Sequence, residues 1–272
     1  MLAVVHNYLT LPEVVAAQAV IDSGQIGVVK SVIVDMLGIV YEAGAASDWH
    51  RNPALAGGGV LMDIVVHAVY LAESLASEPI LRASAHIGAP GPNRHVEDLA
   101  TCRFEARSHV ALVNIGWGYG PGGVFVTGTD GRIDIRYDNG STPPWANLEH
   151  VRVTTAAGTW EILDPATEQR VGLGDFPSHS IAFRAVARAF AEAAHGLGRP
   201  IATGTDGLRA LEATIAAYVS AATGRTVPIP LDRDSTAFQH GSLGVPKVQH
   251  VAWSPFTGTQ LFRPTTPEEA SA

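Results

Sequence analysis

Cysteine occurs once, at Cys102, and lysine only at Lys30 and Lys247. A single cysteine excludes an internal disulfide framework and leans toward a cytoplasmic protein. Within its alternating segment Cys102 reads as a small core residue, not a nucleophile. Arginine carries most of the positive charge, and a formal net charge of −8 with no basic run speaks against nucleic acid or a membrane surface as partner. No uninterrupted apolar run reaches the roughly 18–20 residues of a membrane span. The opening MLAVVHNYL lacks both the basic region and the cleavage site of a signal peptide. Asp63, His67 and His50 could supply three metal ligands, but no H-E-x-x-H or cysteine pair exists, so no metal site is expected. No G-x-G-x-x-G is read behind a strand, and no Walker P-loop is read either. No dinucleotide site is therefore expected in this chain alone.

What is present is ordinary for a globular protein. The chain has 272 residues, of which 46% are hydrophobic and 16% charged. At that length roughly 70–75% of the unfolded surface can be buried, so no staple is needed. Residues 2–8 read as a short strand. Thr10-Leu-Pro-Glu13 predicts a capping box with Thr10 as N-cap, opening a helix that ends near Gly24. A long strand is expected over 28–41. Short alternating segments follow at 79–87, 98–106, 109–118, 123–128, 132–137, 149–155 and 159–163, with Asp130-Gly131 as a two-residue hairpin signal. Helices return near Ser178, where Phe183, Val186 and Phe190 share a stripe, and near Asp206. A strand is expected at 227–231, and 233–272 reads as a surface-wrapping extension behind one domain, 1–232. The elements predict an α+β protein with a mixed, largely antiparallel open sheet and helices on one face. The uncovered face would suit a homo-oligomer.

One stretch organises the rest. From Asp48 to Leu75 the chain passes a Gly57–Gly59 run and enters an apolar segment too long for an ordinary strand. At about 100° per residue, Asp63, His67, Tyr70 and Ser74 share one stripe, while the other faces are apolar nearly throughout. Polar groups on so buried a helix cost several kcal/mol unless paired. Their i,i+4 spacing lets Asp63 and His67 pair, and an acid beside a histidine in a closed site makes a general base near neutral pH. The bland alternative is a structural hydrogen-bonded pair. The three glycines could form an anion nest at a helix N-terminus, or simply permit close backbone packing.

Four stretches together resemble the C-terminal substrate domain of the glucose–fructose oxidoreductase / inositol dehydrogenase (Gfo/Idh/MocA) family. They are NYLTLPEVVAAQAVIDSGQIGVVKSV (7–32), WHRNPALAGGGVLMDIVVHAVYLAESL (49–75), EDLATCRFEARSHVALVNIGW with GTDGRIDI, and the segment 190–230. The resemblance implies a Rossmann domain ahead of this one that binds NAD or NADP and contributes the lysine of a Lys/Asp/His catalytic group. Asp63 and His67 match the family's Asp and His; the lysine has no counterpart in these residues. Trp49-His50 stands where the family usually has Trp-Arg, and Leu9 where an arginine is common.

The expected catalytic residues are therefore His67 and Asp63. His50, Arg51, Trp49, Tyr8 and His179 are the candidate substrate-binding residues, each with a bland counterpart as a packing, capping or solvated side chain. The function expected is the substrate half of an NAD(P)-dependent oxidoreductase acting on a sugar or polyol. In it His67 removes a hydroxyl proton and Asp63 orients it, with the cofactor domain supplied elsewhere. The alternative is a cofactor-independent lyase or isomerase, or a non-catalytic sugar-binding module, using the same pocket.

Overall fold

The computed structural model describes residues 1–39, 48–88, 96–117, 122–137, 148–162 and 177–245. Its centre is β1 (Val29–Ile39), whose Val32, Val34 and Met36 are buried while Ile33 and Asp35 alternate onto the other face. That period of two is what a half-buried strand requires. The remaining strands are β2 (Arg82–Ile87), β3 (Leu99–Glu105), β4 (Val110–Trp117), β5 (Gly123–Gly128), β6 (Gly131–Tyr137), β7 (Leu148–Thr155), β8 (Gly158–Ile162) and β9 (Val227–Pro228). They form one nine-stranded sheet in the order β8-β7-β6-β5-β1-β4-β3-β2-β9. Only β1 and β4 run parallel; every other neighbouring pair is antiparallel.

The described helices are α1 (Pro12–Asp22), the single turn α2 (Pro53–Ala56), α3 (Val60–Ala76), α4 (Pro177–Ala194), α5 (Gly204–Thr223) and the short α6 (Thr236–His240), of which α1, α3 and α5 cover one face of this sheet. α3 lies over β1, β3 and β4; α5 packs against α3 and β2; α1 reaches β6 and β7. The core between the layers joins Leu61, Val65, Ala68 and Leu75 of α3 to Val113 and Ile115 of β4, Phe104 of β3 and Tyr218 of α5, all fully buried or nearly so. By length and mean hydropathy (1.7), the Pro53–Ala76 segment could cross a membrane. Its apolar faces are instead taken up by the sheet and by α5, as suits the core helix of a two-layer fold.

The N-terminus of α3 is built without a capping side chain of its own. Glu97, fully buried just before β3, supplies the cap from a distance. Its Oε1 accepts from the Gly59 N–H (2.8 Å), the Leu61 N–H (3.2 Å) and the Tyr218 hydroxyl (2.5 Å). Close packing explains Gly58 and Gly59, and a left-handed φ of 76° explains Gly57. A Cβ on Gly59 would lie 1.9 Å from the Glu97 backbone oxygen, and one on Gly58 would lie 2.0 Å from the Tyr218 hydroxyl.

Several local expectations are corrected. Residues 2–8 form no strand; Ala3 makes an isolated bridge to Thr203, and Asn7–Thr10 is a 3₁₀ turn. Thr10 does not cap α1. Its hydroxyl donates to the Asn7 carbonyl (2.9 Å) and the Ala182 carbonyl (3.0 Å), tying the turn to α4, and Leu11 takes the N-cap position. The capping box lies instead at Thr203 and Asp206, opening α5. The β5–β6 connection is Thr129–Asp130, one residue earlier than expected. On α4, Val186 is buried but Phe183 and Phe190 are 51% and 47% exposed, so the stripe is not core. Within the C-terminal extension, Ser235 caps α6, which packs on α5. Residues 246–272 lie outside the described residues.

Candidate active site

The polar stripe of α3 emerges half-buried at Asp63, His67 and Ser74, with Tyr70 buried between them. Facing it is the 3₁₀ turn Asn7–Thr10 with His6 at its entry, and α4 supplies His179 from its first turn. The result is a cluster of rings. Tyr8 lies against His67 (centroids 4.8 Å) and, edge-on, against His179 (5.4 Å, 83°). His6 stacks on Tyr70 at 4.0 Å and 17°. Asn7 Nδ2 stands 3.5 Å from His179 Nδ1. These contacts span 59 to 172 residues of sequence.

The ring of His67 is held at Nδ1 by the Tyr70 hydroxyl, 2.6 Å away and three residues on. That hydroxyl also accepts the Tyr8 backbone N–H at 3.3 Å. The expected partnership of His67 with Asp63 is thus not what fixes Nδ1. Asp63 acts on the cluster through charge: burial first, then the Asp63 carboxylate, pushes the Tyr8 hydroxyl well up from its ordinary value. Burial, with His6 and His179 close by, lowers His67 to about 4, so its imidazole is neutral at physiological pH. Tyr70 is pushed up, chiefly by burial, and stays a phenol. Tyr70 and His6 also line a cavity of about 280 Å³ whose other walls carry Glu73, Asp206 and Arg209.

Of the residues singled out from sequence, the structure gathers His67, Tyr8 and His179, with Asp63 bearing on Tyr8 by charge. Trp49 and His50 stack on each other (3.7 Å, 28°) in the Asp48–Arg51 turn, with Trp49 49% exposed. The Arg51 side chain lies outside the described residues. Sequence reading missed His6 and Asn7, and it left Tyr70 as a stripe residue only. The one signal available was the i,i+3 spacing of His67 and Tyr70.

A dinucleotide finds no cradle among the described residues. Contrary to expectation, one G-x-G-x-x-G does follow β4 in the sequence, at Gly118, Gly120 and Gly123, but the next described element is the strand β5 and not a helix. The N-terminus of α3 already holds the Glu97 carboxylate, and that of α5 holds Asp206. No group of three or more metal-binding side chains occurs among the described residues.

Residues 14–141 match the family described as the GFO/IDH/MocA C-terminal domain. No curated protein matches the chain. Among solved structures, an oxidoreductase from Agrobacterium radiobacter, in complex with NAD+, L-tartaric acid and magnesium, shares the fold at TM-score 0.65 and 20% identity. The match covers 84% of this chain and 64% of that one. The aldose–aldose oxidoreductase from Caulobacter crescentus, complexed with glycerol, gives 0.68 and 21% over 84% of this chain and 64% of its own. A levoglucosan dehydrogenase, in complex with NADH and levoglucosan, gives 0.69 and 22% over 85% and 67%. The chain therefore spans about two thirds of the length of these proteins.

Proposed function

We propose, from the premise that segment 14–141 belongs to the GFO/IDH/MocA C-terminal domain family, that this chain is the substrate-binding and catalytic half of an oxidoreductase acting on a secondary hydroxyl of a sugar or polyol. The observation that carries the reading is the cluster of hydrogen-bonding rings around His67: Tyr8, Tyr70 and His179, with Asn7 beside them. Imidazole, phenol and carboxamide groups offer donors and acceptors together, which suits an uncharged polyhydroxylated ligand. His67 itself, neutral at physiological pH, offers a hydrogen bond and no cation to a ligand. Aromatic faces beside those groups add an apolar platform for the C–H face of a sugar.

Asp63 and His67 are the groups that engage the reacting hydroxyl. Since the described residues do not fit a dinucleotide, NAD or NADP is held by a domain outside them, in the same or another chain. Relatives of the same fold crystallised with NADH and levoglucosan, or with glycerol, are consistent with this division. Self-association through the open face of the sheet and a cytoplasmic location belong to the same reading.

The test is a panel of sugars and polyols assayed for NAD(P) reduction by the chain together with a nicotinamide-binding domain. Reduction with at least one secondary alcohol is expected. Reaction of the same panel without any nucleotide would instead favour the lyase or isomerase.

A further inference from the structure

We propose that Tyr70 is the positioning residue that sets the tautomer of His67. Its hydroxyl donates to Nδ1, so His67 keeps its proton on Nε2 and meets the substrate as a hydrogen-bond donor. The word substrate here rests on the function proposed above; the tautomer does not.

The geometry leaves little freedom. A tyrosine hydroxyl has one proton to give and two lone pairs to accept with. At Tyr70 one lone pair is taken by the Tyr8 backbone N–H, and the only acceptor within reach of the proton, among the described residues, is His67 Nδ1 at 2.6 Å. That separation is short for an N–H···O bond and ordinary for an O–H donor. If the ring carried its proton on Nδ1 instead, Tyr70 would accept twice and its own O–H would have no protein acceptor among the described residues, although Tyr70 is only 5% exposed. An unmet buried donor shifts the tautomer ratio by roughly 10- to 100-fold. The ring is neutral, lowered to about 4 by burial and its histidine neighbours, so it has one N–H to place.

The consequence reverses the role read from sequence. A general base needs an unprotonated nitrogen facing the hydroxyl. With Nε2–H outward, His67 takes no proton from the substrate. It donates a hydrogen bond to the reacting oxygen and stabilises negative charge there, as neutral imidazoles can in electrostatic catalysis. The Tyr8 N–H and the stacked His6 ring hold the phenol in place, so Tyr70 acts on the reaction through His67.

The whole chain labelled with ¹⁵N-histidine, read by two-bond proton–nitrogen spectra at neutral pH, decides the matter. The signals lost in His67→Asn assign the ring. In the wild type His67 should show the Nε2–H pattern; in Tyr70→Phe, which keeps the ring stacked on His6, the tautomer ratio should move roughly 10- to 100-fold toward Nδ1–H. An Nδ1–H pattern in the wild type overturns the proposal, even if Tyr70→Phe fails to fold. So does an unchanged pattern in a folded Tyr70→Phe. Joined to a nicotinamide-binding domain, Tyr70→Phe should lower kcat with KM nearly unchanged, and a full kcat would overturn the donor role. If the wild type proves inactive on every sugar and polyol, the oxidoreductase reading fails while the spectra still judge the tautomer.

Discussion

Two ionisable groups, the buried Glu97 at the N-terminus of α3 and the half-buried His67 on its polar stripe, should leave opposing marks on stability. Burial pushes the Glu97 carboxyl from 4.5 up to about 7 in spite of its three donors. In the folded protein it therefore keeps its proton where the unfolded chain has lost it. Its contribution is complete below pH 4.5 and is lost as pH rises to about 7. His67, lowered from 6.5 to about 4, has the opposite sign: its contribution is complete above 6.5 and is lost as pH falls toward 4. His6, also lowered by burial, adds to the second effect. The windows overlap, so in the wild-type stability curve these effects oppose one another and neither is read directly. Subtraction isolates one group: the stability difference between wild type and Glu97→Gln should fall by about 1.4 kcal/mol per pH unit across the Glu97 window. Denaturant unfolding at several pH values checks this, and a difference independent of pH would contradict the raised carboxyl. At this scale the sequence was partly legible. The stripe that collects Asp63, His67 and Tyr70 is a matter of helical phase alone. Which atoms meet His67 is not, because Tyr8 and His179 arrive from distant segments whose placement depends on the finished fold.

Among the elements, α3 was legible because a long apolar run after glycines has one sensible reading, and the hairpin strands because their period of two is regular. The failures share a cause. Thr10-Leu-Pro-Glu13 fits a capping box by spacing, yet the Thr10 hydroxyl finds carbonyls of its own turn and of α4, and tertiary bonds outweigh the local motif. The α4 stripe fits an amphipathic helix, yet no described element covers Phe183 and Phe190 fully, and periodicity cannot say what lies opposite a face. The glycine run gives the element-level prediction. Gly57 is left-handed (φ 76°) with room for a Cβ at ordinary contact distance from Ser242 and Met62, while Gly59 is pressed against the Glu97 backbone. Gly57→Ala should cost about 1–2 kcal/mol from backbone strain. Gly59→Ala should cost about 3 kcal/mol or more, since the obstructing atom is main chain. Thermal unfolding of both variants should give that order; the reverse order would mean the α3 N-terminus is looser than its contacts imply.

For the whole molecule, the α+β class followed from the succession of elements, while the strand order did not. The parallel β1–β4 pair at the centre needs a crossover that no local signal announces. The uncovered face carries Leu112, 38% exposed, with Ile33 and Phe125 half-buried beside it and charged ladders such as Arg152–Glu161 toward the edge. An apolar strip rimmed by charge is suited to a second copy of the chain. Light scattering should find a dimer or larger assembly at micromolar concentration and a monomer for Leu112→Lys; a monomeric wild type would contradict this. The central claim, that α3 presents Asp63 and His67 to a substrate, is tested most directly by measuring turnover and melting temperature together. The samples are wild type, His67→Asn and Asp63→Asn, each joined to a nicotinamide-binding domain. Turnover should fall roughly 10²–10⁴-fold in both variants, the size seen for losing a proton-transfer or oxyanion-binding group, with the melting temperature nearly unchanged. Retained turnover with a lowered melting temperature would make the pair structural and contradict the claim.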